Sequence, residues 1–483
     1  MSTSCILKKL DSYNMADRDL IGNKAYNLLR MYMNGAHIPE TWILDSSYIR
    51  KFMEMQNIYS DGIKIDDFKS VRIILQTEEF IRYLSKSIRK DYNSIHPEGS
   101  SKSWAIRSSS CLEDSKSSSF AGMFTTVLNV RCVCNVIDSI YKVVVDSFSE
   151  EVEFLCRING IERMKLPAVI IQEFVYSQVG GVTFRQNGIS TSNLAIGLTK
   201  GIVDGISGTD VWCYDEQSKE IHCDINEKKC CVLPVNSRTN PLTGEKCLLK
   251  MNGNKAIYKC IRAFDESGLI VAEVPTELME KQLVDNDSMK DILECMGGIA
   301  DKLSIKEYDA EWCIDNNNKF FLLQIRDLTR QFEPLKRFTS NKTLPIVAGK
   351  AIGRTCVVKN EKDLKNFKKG DILVTELING KAIQAVLDAS ACIIQTSSVL
   401  SHSAIIAREL GLPCIGVDDI NDIRNFTYIK IDGDLGKYDE IEEIDTQNEE
   451  ETTTREFKID RQNVNLWKEN LLVIPHEWEE NST

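Results

Sequence analysis

The stretch Glu307–Arg330 admits few folds. Two runs, EYDAEWCID and KFFLLQIRD, flank Asn316-Asn317, a pair tolerant of positive φ and suited to a tight turn. A two-residue turn there predicts an antiparallel hairpin in which Asp309 faces Gln324 and Glu311 faces Leu322. Period-two alternation puts Asp309, Glu311, Gln324 and Arg326 on one face and directs Trp312, Phe321 and Leu323 to the core. Two acids, an amide and an arginine on one surface suit a magnesium-bound triphosphate, with Glu311 and Gln324 as the metal-side residues.

The chain around this hairpin has 483 residues, enough for two or three domains with cores of their own. Its formal net charge is -12 and its isoelectric point is near 5.2. An acidic surface argues against nucleic acid or an anionic membrane as the main partner, and leaves room for a local basic cluster that binds ATP. The first residues, MSTSCILKKLDSYNMADRDL, lack a signal-peptide apolar core. No apolar run approaches the roughly 20 residues that span a bilayer. The expectation is a cytoplasmic protein. The 16 cysteines are scattered, without paired metal-ligand spacing, and read as free thiols in a reducing compartment.

Helices and strands mix over residues 1–330, so the class is α/β (α+β). Helical patterns run from Asn23 to Met33 and from Asp285 to Leu303; strand patterns cover Trp104–Arg107, Ala168–Val175 and Phe320–Ile325. A polar connector with Pro334 and Pro345 marks a linker over 331–347, and 348–440 reads as a second compact unit. Residues 441–483 form an acidic tail whose end, NVNLWKENLLVIP, could dock as a small element.

Of five histidines, His402 is singled out by its surroundings, TSSVLSHSAIIARELGLPCIGV. A helix over Ser403–Leu410 is stopped by Gly411 and Pro413, and Ser401 or Ser398 can cap its start. His402 therefore stands at a helix N-terminus, where free N–H groups and the dipole favour an anion. A simple helix cap and a phosphoryl carrier both fit the local sequence. Elsewhere, Arg107 ends an apolar strand before a Ser/Gly loop reaching Gly122, with Thr126 beyond it; an arginine and exposed backbone N–H groups suit phosphate oxygens. Lys24 begins a helix, and Gln172 is the polar residue of an apolar strand.

These segments resemble the phosphoenolpyruvate synthase and pyruvate phosphate dikinase family. Ser401, His402, Ala404, Ile405, Ala407, Arg408, Glu409, Gly411 and Pro413 fit its phosphohistidine motif, with Ser397-Ser398 in place of a glycine pair. IGNKAYNLLRM, WAIRSSSCLEDSKSSSFAGMFTTVLNV, AVIIQEFVYSQVGGVTF and EYDAEWCID with QIRDLT fit its nucleotide motifs, with Asp327 where the family has proline. The resemblance implies an ATP-grasp-like nucleotide-binding domain followed by a small β/β/α phosphohistidine swivelling domain. It implies ATP and Mg2+ held by Lys24, Arg107, Gly122, Thr126, Gln172, Glu311, Gln324 and Arg326, and phosphoryl transfer through His402 with AMP leaving. Relatives add a C-terminal (β/α)8 barrel of about 250 residues; the stretch after Gly436 is too short for one. The expected acceptor is a separate protein or a small molecule. An ATP-dependent ligase, or a nucleotide-binding module without turnover, stand as alternatives.

Overall fold

The computed structural model describes residues 5–58, 62–96, 102–113, 124–235, 246–251, 254–264, 268–328, 343–360, 362–376, 378, 382–396, 401–417 and 419–441, with His402 described by its backbone alone. The first layer is a five-stranded sheet in the order Leu7–Lys9, Thr41–Leu44, Ala168–Glu173, Trp104–Ser109 and Thr126–Val130. Its neighbours are all antiparallel. The apolar run of its middle strand is explained by burial on both faces. Val169 and Ile171 pack with Phe52, Phe80 and Ile140 of the helices Ser46–Met55, Glu78–Ile95 and Val133–Asp146. Ala168 and Ile170 pack with Ala25 and Leu28 of the helix Arg18–Met33.

A six-stranded antiparallel sheet stands beside it, in the order Ile221–Asp224, Asp210–Asp215, Ile189–Ile196, Ser177–Gln186, Tyr308–Asp315 and Phe320–Asp327. The helix Asn286–Lys302, capped by the Asp285 carboxylate accepting from Ser288 N at 2.8 Å, covers one face with Met289, Leu293 and Met296. A four-stranded antiparallel sheet, Cys230–Pro234, Leu269–Glu273, Asn254–Ala263 and Lys246–Met251, lies alongside.

The hairpin forms, in a different register from the one expected. Asp309 pairs with Arg326 and Glu311 with Gln324, whereas Trp312 pairs with Leu322. The turn holds Asn316, Asn317 and Asn318, with Asn318 at φ 61°, and Asp315 N donates to Lys319 O at 2.9 Å. Leu323 is the extra residue of a bulge, which shifts the phase of its strand. As a result Leu322 and Ile325 are buried in the core, while Phe321 and Leu323 are not fully buried. Asp309, Glu311, Gln324 and Arg326 still share a face, because the extra loop residue and the bulge each move the pairing by one residue, and a shift of two preserves the alternation.

The C-terminal unit is a seven-stranded sheet in the order Thr343–Val347, Cys414–Val417, Ala391–Gln395, Ile372–Thr375, Lys350–Val358, Tyr428–Asp432 and Lys437–Ile441. Its four middle strands are parallel. Thr343–Val347 thus belongs to this sheet, although it falls in the stretch read as linker; Pro345 is tolerated because the strand is an edge. Residues 329–342 and the tail beyond 441 lie outside the described residues. The helix His402–Glu409 begins one residue earlier than expected, and Ser401 is its cap, the hydroxyl accepting from Ala404 N at 3.4 Å. Gly411, at φ 60°, stops it, and Leu412 N closes back on Ala407 O at 3.0 Å. Every cysteine whose side chain is described is a free thiol.

Candidate nucleotide-binding site

The site is assembled where the five-stranded and six-stranded sheets meet. Gly22, at φ 75°, breaks the first helix so that its regular part starts at Asn23. A β-carbon at Gly22 would stand 2.0 Å from Ser109 O, so only glycine lets the helix start abut the end of the strand Trp104–Ser109. The join is hydrogen-bonded on both sides. Asn23 N donates to Ser110 O at 3.1 Å and Ala25 N to Ser109 Oγ at 2.9 Å. The Asn23 side-chain amide donates to Cys111 O (2.7 Å) and Glu113 O (2.8 Å).

This junction fixes Lys24, which forms an ion pair with the buried Glu113 carboxylate. Glu113 Oε1 also accepts from Ser110 N at 3.1 Å. Glu113 lies inside the motif quoted from the sequence, yet neither spacing nor periodicity distinguishes it there. Its role comes from the fold bringing the loop Ser110–Glu113 around the helix start.

Arg107 is the bridge between the two sheets. It projects from the strand Trp104–Ser109, which runs two residues further than expected, and stands directly opposite Thr126. Its Nη2 donates to Gln324 Oε1 at 2.7 Å, and its Nη1 lies 3.3 Å from both Gln172 Oε1 and Leu323 O. Gln172 in turn donates to Thr41 Oγ1 at 3.0 Å. The bulge at Leu323 is what turns that carbonyl toward the guanidinium. Arg107, Gln172 and Gln324 are thus one hydrogen-bonded unit, with Thr126 at its edge.

On the hairpin, Arg326 donates through Nε (2.8 Å) and Nη2 (2.6 Å) to Asp309 Oδ2. Glu311 lies beside them. Burial pushes its carboxyl above the ordinary glutamate range; Arg107 opposes the rise, Asp309 adds to it, and Arg326 and Lys24 pull it back. Those four influences place Lys24, Arg107, Arg326 and both acids in one electrostatic neighbourhood. Among the described residues none hydrogen-bonds to the Glu311 carboxylate. A desolvated acid with no hydrogen bond among the described residues, in the field of Arg107, Arg326 and Lys24, fits a hard cation. No group of three or more His, Cys, Asp or Glu side chains gathers as a metal cage among the described residues. Mg2+ bound through one or two carboxylates and substrate phosphates does not need such a cage.

Gly122 and Ser397-Ser398 lie outside the described residues. The backbone of His402 opens its helix, as expected, and Ser403 Oγ accepts from Ile378 N at 2.8 Å, tying the helix start to the loop after the strand Ile372–Thr375.

Two protein-family models match the chain. A protein-family model described as pyruvate phosphate dikinase, AMP/ATP-binding domain, matches residues 18–342. A second, described as PEP-utilising enzyme, mobile domain, matches residues 367–436. Among curated proteins, the chain is 24% identical to a probable phosphoenolpyruvate synthase of Archaeoglobus fulgidus, over 83% of this chain and 53% of the relative. It is 22% identical to the phosphoenolpyruvate synthase of Pyrococcus furiosus, over 89% and 58%. It is 24% identical to that of Escherichia coli, over 87% and 56%. The chain therefore spans little more than half the length of these relatives.

Proposed function

The chain belongs to the pyruvate phosphate dikinase AMP/ATP-binding family, and from that premise we propose that it moves a phosphoryl group from ATP onto His402 and then to an acceptor, releasing AMP. The observation that carries the reading is the convergence of Lys24, Arg107, Arg326 and an unpaired Glu311 at one junction. This set suits a magnesium-bound triphosphate, and the match of residues 367–436 to the PEP-utilising enzyme mobile domain supplies the histidine-bearing unit. Glu311, with Gln324 beside it, would hold Mg2+. When bound, the ion neutralises charge on the phosphate oxygens.

Lys24 and Arg107 bind the triphosphate and hold it rigid, since each is already fixed by Glu113 or Gln172 before substrate arrives. Gln172 and Thr126 flank Arg107 and orient the rest of the nucleotide. In the transfer step a ring nitrogen of His402 forms a bond to the β-phosphorus. The bond from that phosphorus to the bridging oxygen of the α-phosphate breaks, AMP leaves with the electron pair, and the β- and γ-phosphates stay on the histidine as a pyrophosphoryl group until water or orthophosphate takes the γ-phosphoryl group and leaves the phosphohistidine. The helix N-terminus at Ser401–Ser403 stabilises the resulting anion.

The carrier unit is taken as residues 343–441, since its sheet begins at Thr343. The acceptor is a separate protein or a small molecule, and a cytoplasmic setting suits an ATP-dependent enzyme. Among the described residues no helix is long and apolar enough to cross a membrane.

The test is incubation with ATP labelled at the β-phosphate. Acid-labile label should appear on the wild-type protein and be absent from His402→Ala, and AMP should be formed once an acceptor is supplied. ADP as the sole product, or full activity in His402→Ala, would replace this reading with a direct kinase or a ligase.

A further inference from the structure

The register of the six-stranded sheet joins the nucleotide site to the carrier unit. Residues paired directly across antiparallel strands project from the same face. Glu311 pairs with Gln324 on one side and Val182 on the other; Asp309 pairs with Arg326 and with Phe184. Polar residues assigned to the nucleotide and a pair of apolar residues therefore occupy the same two rows of one face. Ala195, one strand further, stands on that face opposite Gly180.

The apolar members are not left to water. Val182, Phe184 and Ala195 are buried in a core shared with Ile346, Ile394 and Ala404 of the carrier unit. Ile394 belongs to the strand that leads toward His402, and Ala404 to the helix that His402 begins. The carrier unit thus sits on the sheet face that carries Glu311, with its histidine-bearing elements in the contact.

One point in this contact has no slack. The short helix Lys200–Val203, whose Ile202 belongs to the same core, ends at Gly205 in the left-handed region, φ 70°. A β-carbon at Gly205 would stand 2.6 Å from Thr396 Oγ1, 3.1 Å from Thr396 Cβ and 3.4 Å from Gln395 O. Thr396 is itself buried, and its N donates to Val417 O at 3.0 Å, so the strand end cannot move aside on its own. Thr396 precedes His402 by six positions.

Resting on the function proposed above, we propose that Gly205 is a positioning residue for phosphoryl transfer: its missing side chain is the seat that lets the end of the strand Ala391–Gln395 close on the ATP-binding unit. It acts through Thr396, which a β-carbon at this position would meet. The seat is where the carrier unit stands to be loaded; transfer to an acceptor does not need it.

The experiment is a suppressor pair. Gly205→Ala, Thr396→Ala and the double variant are compared with the wild type by calorimetry with Mg-ATP, by acid-labile labelling from β-labelled ATP, and by small-angle scattering. Gly205→Ala should keep its ATP affinity, expand in scattering and label about tenfold more slowly, because the seated state becomes the minor one. Adding Thr396→Ala removes the hydroxyl that the new β-carbon meets at 2.6 Å; the left-handed strain at residue 205 and the contact at residue 396 Cβ remain, so labelling should recover to within about threefold and not in full, the sign of two residues in direct contact. Labelling at the wild-type rate in Gly205→Ala, or no restoration in the double variant, would overturn the seat. If the wild type takes no label at all, the phosphotransfer reading fails by itself. Scattering then still decides the seat: expansion in Gly205→Ala reversed by Thr396→Ala supports it, and equal radii overturn it.

Discussion

One face of the six-stranded sheet packs against the helix Asn286–Lys302, and the other against the carrier unit. On the first face Tyr308, Ala310, Trp312, Leu194 and Leu322 form a closed core. Its polar groups include some paired within the core: Trp312 Nε1 donates to Thr183 Oγ1 at 2.8 Å, and Thr183 and Ser192 hydroxyls meet at 2.7 Å. On the second face, apolar Val182 and Phe184 alternate along the rows with Glu311, Asp309, Gln324 and Arg326. Permanent burial leaves no free charge, because an unpaired buried charge costs more than any packing returns. A charge kept free at the edge of burial marks a face whose cover is a ligand or a movable unit.

The largest expected effect lies on the closed face. Trp312→Ala removes a fully buried indole, to which Gly181 gives room by lacking a side chain, and takes from the Thr183 hydroxyl one of its two partners. The expected cost is about 3–5 kcal/mol of stability, read by denaturant unfolding, with nucleotide binding falling only as the folded fraction falls. A loss below about 1 kcal/mol would mean that the two faces are not energetically distinct.

The open face should behave in the opposite way. Glu311→Ala relieves a desolvated carboxylate, so the unfolding midpoint should hold or rise, while Mg-dependent ATP affinity drops about 100-fold, the scale of losing a charged ligand. Calorimetry with and without Mg2+ checks it. Unchanged affinity would take Glu311 out of the site, and a collapse in stability would place it with the core instead.

The contrast also explains what was legible in the sequence. Strands, helix limits and the shared face of Asp309, Glu311, Gln324 and Arg326 follow from alternation and caps, which are local. The register of the hairpin does not, because Asn316, Asn317 and Asn318 all suit a turn and the bulge at Leu323 depends on what its carbonyl meets, the Arg107 guanidinium. The strand Thr343–Val347 hides behind Pro345, which speaks against a strand until the strand is known to be an edge. Glu113 reaches Lys24 only because the fold brings a distant loop to the helix start. Val182 and Phe184 read as ordinary core residues, and nothing local tells an apolar residue under a helix from one under a docked unit.

The smallest effect concerns the ion pair within the open face. Asp309 is buried, and both donors of Arg326 that reach it converge on Oδ2. While that pair holds, Arg326 is neutralised and contributes little net charge to an incoming triphosphate. Asp309→Asn keeps a carbonyl oxygen to orient the guanidinium and removes the opposing charge. It also removes one of the influences that raise the Glu311 carboxyl. Both changes favour the nucleotide: the arginine charge is released toward phosphate, and Glu311 ionises more readily. ATP affinity should therefore rise about two- to fivefold, less than a full charge would give because the pair stands beside solvent. The gain should shrink at high salt, since partly exposed charges are screened. Titrations with ATP at low and high ionic strength read it. A fall in affinity instead would show that Asp309 serves to hold Arg326 in place, as the Thr183 hydroxyl holds Trp312 on the closed face.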